Sequence, residues 1–111
     1  MRRRFMIATG CAGLLAAASG VAAGAAVGHV VGQHGRAFSI QSMTIRQGET
    51  VVFLNDDTVP HNVTSSTPDN RFDLGSQMPG SATPVRFDKA GLVEVICAIH
   101  PRMHMTITVT E

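Results

Sequence analysis

Leu92-Val93-Glu94-Val95-Ile96-Cys97-Ala98-Ile99-His100-Pro101-Arg102-Met103-His104-Met105-Thr106-Ile107-Thr108-Val109 is the stretch that decides how this chain is read. Apart from Glu94, its first six residues are apolar and mostly β-branched, and its last four alternate Thr with Ile or Val. The spacing predicts one strand over Leu92 to Cys97 and another over Thr106 to Val109. Cys97, His100 and Met103 stand three residues apart in the loop between them. Pro101 bends that loop back, because its fixed φ and missing N–H end a strand.

The same β signature runs upstream. Phe38, Ile40, Met43 and Ile45 form an apolar series broken by polar residues and closed by Gln47-Gly48. Thr50 to Leu54 is a β-branched run ending in Asn55-Asp56-Asp57, which reads as a turn. His61-Asn62-Val63-Thr64 opens another short strand, Ser65 to Asn70 and Gly75 to Gly80 are loops, and Thr83 to Phe87 alternates before a turn at Asp88-Lys89-Ala90-Gly91. Turn signals every eight to twelve residues with no helical period predict an all-β domain, a sandwich or small barrel, over residues 37–111. Residues 27–36 read as a Gly/His-rich connector without periodicity, and His29 and His34 in it are assigned no role.

The N-terminus sets the compartment. Arg2-Arg3-Arg4 precedes an Ala/Gly-rich apolar stretch from Phe5 to Ala26, with small residues around Ala23-Gly24-Ala25 for cleavage. This is the build of an export signal over 1–26. Arg2-Arg3-Arg4-Phe5-Met6 is a partial match to a twin-arginine signal, so both export routes stay open. An uncleaved membrane anchor is the competing reading, though Ala and Gly are weakly apolar for a span. The first 35 residues hold three Arg and no acid, so six basic and eight acidic side chains remain in the rest, a net of −2. Nothing there suggests nucleic-acid binding. Cys11 falls in the signal, which leaves Cys97 as the sole thiol of the exported chain, with no intramolecular disulfide open to it. A lone thiol in an oxidising compartment has to be buried, joined to another chain, or bound to metal.

A thiolate, two imidazoles and a weak thioether form the ligand set of a blue-copper centre. Cys97, His100 and Met103 supply three of these from one loop. His61, from another strand, supplies the fourth, and the expected arrangement takes it from the opposite sheet. Soft sulfur favours Cu(I) while imidazole accepts both oxidation states. The metal itself deprotonates the thiol.

Pro60-His61-Asn62-Val63 and Cys97-x-x-His100-Pro101-x-Met103, followed by a short last strand, resemble the small cupredoxins of the amicyanin, pseudoazurin and plastocyanin type. The resemblance covers Phe38 to Glu111 and implies a Greek-key β-sandwich of about seven or eight strands. It implies His61, Cys97, His100 and Met103 as ligands of one type 1 copper ion that cycles between Cu(I) and Cu(II). In the longer-loop members of the family the axial Met lies five residues after the His, which would select Met105. The His-Pro-x-Met pattern and the strand that follows at once favour Met103, with Met105 in the core and His104 solvated. Two departures from the family stand out. Ala98 takes the place of the Thr that commonly pairs with the Asn after the first His, so Asn62 is expected to reach backbone groups only. Ile99 stands where Pro is frequent, and its N–H is expected to point at the Cys97 sulfur.

The resemblance further implies a periplasmic or otherwise exported one-electron carrier, with the exposed His100 edge as the electron's exit. Its partners would be periplasmic redox proteins: a c-type cytochrome, a dehydrogenase or an oxidase. A monomer is expected, in contact with a membrane only if the signal stays uncleaved. Pro60, Met78 and Pro101 are candidates for an apolar docking rim, with Arg102 beside them. The alternative is a copper carrier or chaperone that delivers metal without redox cycling. An enzyme is not expected: no carboxylate pair, Ser-His-Asp set or phosphate loop is present, and four protein ligands leave no open position for substrate.

Overall fold

The structure, a computed structural model, describes residues 28–111, so the expected export signal lies outside the described residues. Nine strands and no helix are present among them: β1 (His29–His34), β2 (Ala37–Phe38), β3 (Ser42–Arg46), β4 (Thr50–Asn55), β5 (Val63–Ser65), β6 (Phe72–Asp73), β7 (Ala82–Arg86), β8 (Gly91–Cys97) and β9 (His104–Thr110). They form two sheets, one in the order β2-β1-β4-β7 and the other β3-β9-β8-β5-β6. β1 pairs parallel to β4 and β3 parallel to β9, while the other pairings are antiparallel.

Two-residue periodicity builds the core. Val51 and Phe53 of β4, Val93 and Val95 of β8, and Met105, Ile107 and Val109 of β9 all turn inward and are buried. The β8–β9 register sets Val95 opposite Met105 and Val93 opposite Ile107, so inward residues meet in pairs. Each fully buried side chain of this size contributes about 1.5–3 kcal/mol through lost apolar exposure. Phe72 packs on both Phe53 and Phe87, at ring-centroid distances of 5.9 and 5.8 Å.

Residues 29–34 differ from their reading as a connector: they form β1, at the centre of the first sheet. The inward positions of β1 are Val31 and Gln33. A glutamine on the core side erases the apolar alternation that would have marked the strand. Its Nε2 donates to Gln77 Oε1 at 2.7 Å, while its own Oε1 is buried without a partner. β1 and β2 are joined by the two residues Gly35-Arg36, both at positive φ (59° and 57°), as a type I′ hairpin turn requires. The apolar series read over Phe38 to Ile45 is split between β2 and β3, one in each sheet.

Candidate metal centre

β8 delivers Cys97 at its last residue, on the inward parity of Val93 and Val95, and the thiol is fully buried. His61 lies two residues ahead of Val63 and keeps the inward parity of Val63 and Ser65, so its ring is also fully buried. Val63 is the register partner of Cys97, which makes β5 and β8 neighbours in one sheet. The expectation that His61 comes from the opposite sheet is therefore corrected: it comes from the segment leading into β5, the strand next to β8 in the same sheet. The link to the other sheet is Gln77. Its backbone exchanges two hydrogen bonds with His61, at 3.0 and 2.7 Å, and its side-chain Nε2 donates to Phe53 O of β4 at 2.8 Å.

The loop from residue 98 to 102 is pinned at its base. Cys97 N–H donates to Met103 O at 3.2 Å, and Met103 N–H donates to His100 O at 2.9 Å. This closure turns His100 towards Cys97. His61 Nδ1 and His100 Nδ1 are 3.1 Å apart, and each is 3.8 Å from Cys97 Sγ. Donors that share one ion at bond lengths of roughly 2.0–2.3 Å stand about 3–4 Å from one another, so the three atoms fit a single metal ion. His61, Cys97 and His100 are the one cluster of this kind among the described residues. His61 and Cys97 are enclosed, whereas His100 is half-buried at the surface. Met103 is fixed beside them through its backbone, and its side chain is 1% exposed. Met105 lies within β9 on the inward face and belongs to the core, as its place in the strand predicts.

The surroundings correct two expectations. The Ile99 N–H is not a donor to Cys97 Sγ; Ile99 sits outward, 53% exposed, and the sulfur accepts from Asn62 N–H at 3.3 Å. Asn62 reaches more than backbone groups: its Nδ2 donates to Asp73 Oδ1 at 2.7 Å as well as to Gly75 O at 2.9 Å. Its Oδ1 is buried without a partner, which matches the absence of a hydroxyl at Ala98. The Gly75 N–H and the Asn62 amide hold the Asp73 carboxyl below its ordinary range.

Asp57 is the residue that sequence reasoning missed. Asp56-Asp57 looked like a turn, and it is one, but Asp57 Oδ2 also accepts from His61 Nε2 at 2.9 Å. The same oxygen accepts from Arg36 N–H at 2.9 Å, and Oδ1 accepts from Thr58 N–H at 2.8 Å. These bonds, with the Arg36 N–H foremost, hold the carboxyl far below the usual carboxylate range. With Nε2 donating, His61 presents Nδ1 to the metal position. The sole sequence signal was an Asp four residues before a candidate ligand, which turn chemistry explains equally well.

A two-sheet β-sandwich that gathers one thiolate and two imidazole Nδ1 atoms at one end is a single-metal copper-type protein. The family model for copper-binding proteins of the plastocyanin/azurin family matches residues 25–110, and the chain belongs to that family. Among solved structures it is similar to amicyanin from Paracoccus versutus, at 26% identity and TM-score 0.66, covering 75% of this chain and 81% of that one. It is also similar in fold to a purple cupredoxin from Nitrosopumilus maritimus, at 24% identity and TM-score 0.66, covering 74% and 99%. A copper-containing nitrite reductase from Thermus scotoductus matches at 26% identity and TM-score 0.71 over 77% of this chain, but the chain spans 23% of that enzyme. No curated protein matches the sequence.

Proposed function

We propose that this protein is an exported type 1 copper protein that carries one electron at a time between redox partners. The observation that supports the reading most directly is the triangle of His61 Nδ1, Cys97 Sγ and His100 Nδ1, with sides of 3.1, 3.8 and 3.8 Å. Bound copper supplies a one-electron Cu(I)/Cu(II) couple tuned by the thiolate. His61 and Cys97 hold the ion from the interior, and His100 leaves a ring edge at the surface through which a partner can be reached. Met103 would be the fourth residue to hold the ion, a reading supported by its burial and by its backbone bonds to Cys97 and His100. The β5–β8 ladder and the Gln77 bridge hold Cys97 and His61, which supports a site in which little moves when the oxidation state changes.

Arg36, Ile99, Pro101 and Arg102 line a hollow beside His100, and Met78 is exposed. An apolar contact with a cationic rim suits the small, short-lived interfaces of redox encounters. Partners of the proposed kind are periplasmic redox proteins such as a c-type cytochrome, a dehydrogenase or an oxidase. The chemistry is electron carriage without a substrate.

The test is the absorption and EPR spectrum of the copper-loaded protein beside Cys97→Ser. The parent is expected to show an intense visible thiolate-to-Cu(II) band and a reversible voltammetric wave, and the variant neither. A parent without the band, or a band that survives the substitution, overturns the reading. Tight Cu(I) binding with no stable Cu(II) form points instead to a carrier that delivers copper.

A further inference from the structure

His61 Nε2 needs an acceptor to hold the ring in register, and a backbone carbonyl would do that without adding charge. Here the acceptor is the carboxylate of Asp57, at 2.9 Å, with a side chain 9% exposed. The carboxylate is itself fixed on every side. Arg36 N–H and Thr58 N–H donate to it, and its own backbone N–H donates to Asn55 Oδ1 at 3.0 Å. Arg36 makes its bond from the second position of the β1–β2 turn, where its positive φ aims the amide at Asp57. A fixed anion with little exposure is poorly screened by solvent and salt.

We propose that Asp57 is a positioning residue that orients His61 and, by its charge, favours the oxidised state of the bound copper. The hydrogen bond from Nε2–H to a carboxylate draws the proton outward and makes Nδ1 a stronger donor. A stronger donor and a nearby negative charge both stabilise the doubly charged ion more than the singly charged one. The reduction potential is thus held lower than the Cys–His–His set with a neutral acceptor would give. The β1–β2 hairpin, read from sequence as a connector, takes part by anchoring the carboxylate.

The inference rests on His61 being a copper ligand, and the experiment separates the two. Copper-loaded parent, Asp57→Asn, Asp57→Ala and Asp57→Glu are compared by voltammetry, absorption and EPR. Asp57→Asn keeps an acceptor but removes the charge. It is expected to stay blue and to shift relative Cu(I) over Cu(II) binding about tenfold, which is about 59 mV to higher potential for one electron. Asp57→Ala is expected to raise the potential similarly and also to alter the EPR hyperfine pattern, because the ring is no longer held. Asp57→Glu is expected to return the potential towards the parent value. A blue parent whose potential matches that of Asp57→Asn overturns the role of Asp57 alone, whereas a parent with no blue band overturns the ligand assignment. Should the variants fail to fold, proton NMR of the zinc-loaded parent decides. A downfield, slowly exchanging His61 Nε2 proton supports the proposal, and its absence overturns it.

Discussion

Met103 and Met105 are both buried, two residues apart and part of one hydrophobic core, and the proposed function gives them different work. Met103 lies outside the ladder and is bonded to both Cys97 and His100, while Met105 sits opposite Val95 on the inward face of β9. Met103→Leu is therefore expected to keep the thiolate band but shift its position and raise the potential, as loss of a weak axial thioether does. Met105→Leu, a volume-conserving core swap, is expected to leave the spectrum alone and to cost less than about 1.5 kcal/mol. Absorption spectra and urea midpoints of the two variants check the pair, and a spectral shift with Met105→Leu would reverse the assignment. Cys97, His100 and His61 were legible at this scale because metal ligation demands particular atoms at particular spacings. Asp57 was not, because a turn-forming Asp and an Asp that holds a ligand look alike until the turn is folded. The partners of Asn62 were hidden for the same reason: Asp73 is eleven residues away and reaches it only through the β5–β6 pairing.

At the scale of elements, the strands that read clearly are those whose inward face is apolar over most of its length; in β4 only the last inward residue, Asn55, is polar. β4, β8 and β9 alternate cleanly, and their bounds fall within two residues of the expectation. β1 was lost because its second inward position is Gln33, whose polarity is offset by Gln77 from a distant loop. That pairing makes Gln33 a structural link and not a defect. Gln33→Ala leaves Gln77 Oε1 buried without a donor but also removes Gln33 Oε1, itself buried without a partner, and is expected to cost about 1 kcal/mol. Urea unfolding of the copper-free protein measures it, and an unchanged midpoint would show that the Gln33–Gln77 bond carries no stability. β2 and β6, two residues each, lie below the length at which periodicity can be recognised.

Across the whole molecule the ionised side chains set how stability responds to pH. The Glu49 carboxyl lies below its ordinary range, first because His29 Nε2, at the start of β1, bonds to it just ahead of β4. Asp73 is lowered chiefly by the Gly75 N–H. A carboxyl with a lower pKa in the folded than in the unfolded state binds fewer protons when folded. Its contribution is complete above the unfolded value, roughly pH 4, and is lost as pH falls through the folded one. The copper-free protein is expected to hold its urea midpoint from neutral pH to about pH 5 and to lose stability steadily below about pH 4. A midpoint that stays flat through that lower window would show these carboxyls to be unperturbed.

Strand periodicity pointed to an all-β domain, and the Cys-x-x-His spacing at the end of β8 pointed to a copper site. Both are local signals, written within one strand or one loop. The side from which His61 enters, the Gln33–Gln77 link beneath it, and the placing of Asp57 and Arg36 behind its ring emerge only on folding. Those are contacts between residues far apart in the chain. They depend on strand order and register, which an apolar alternation leaves open because any two such strands can pair.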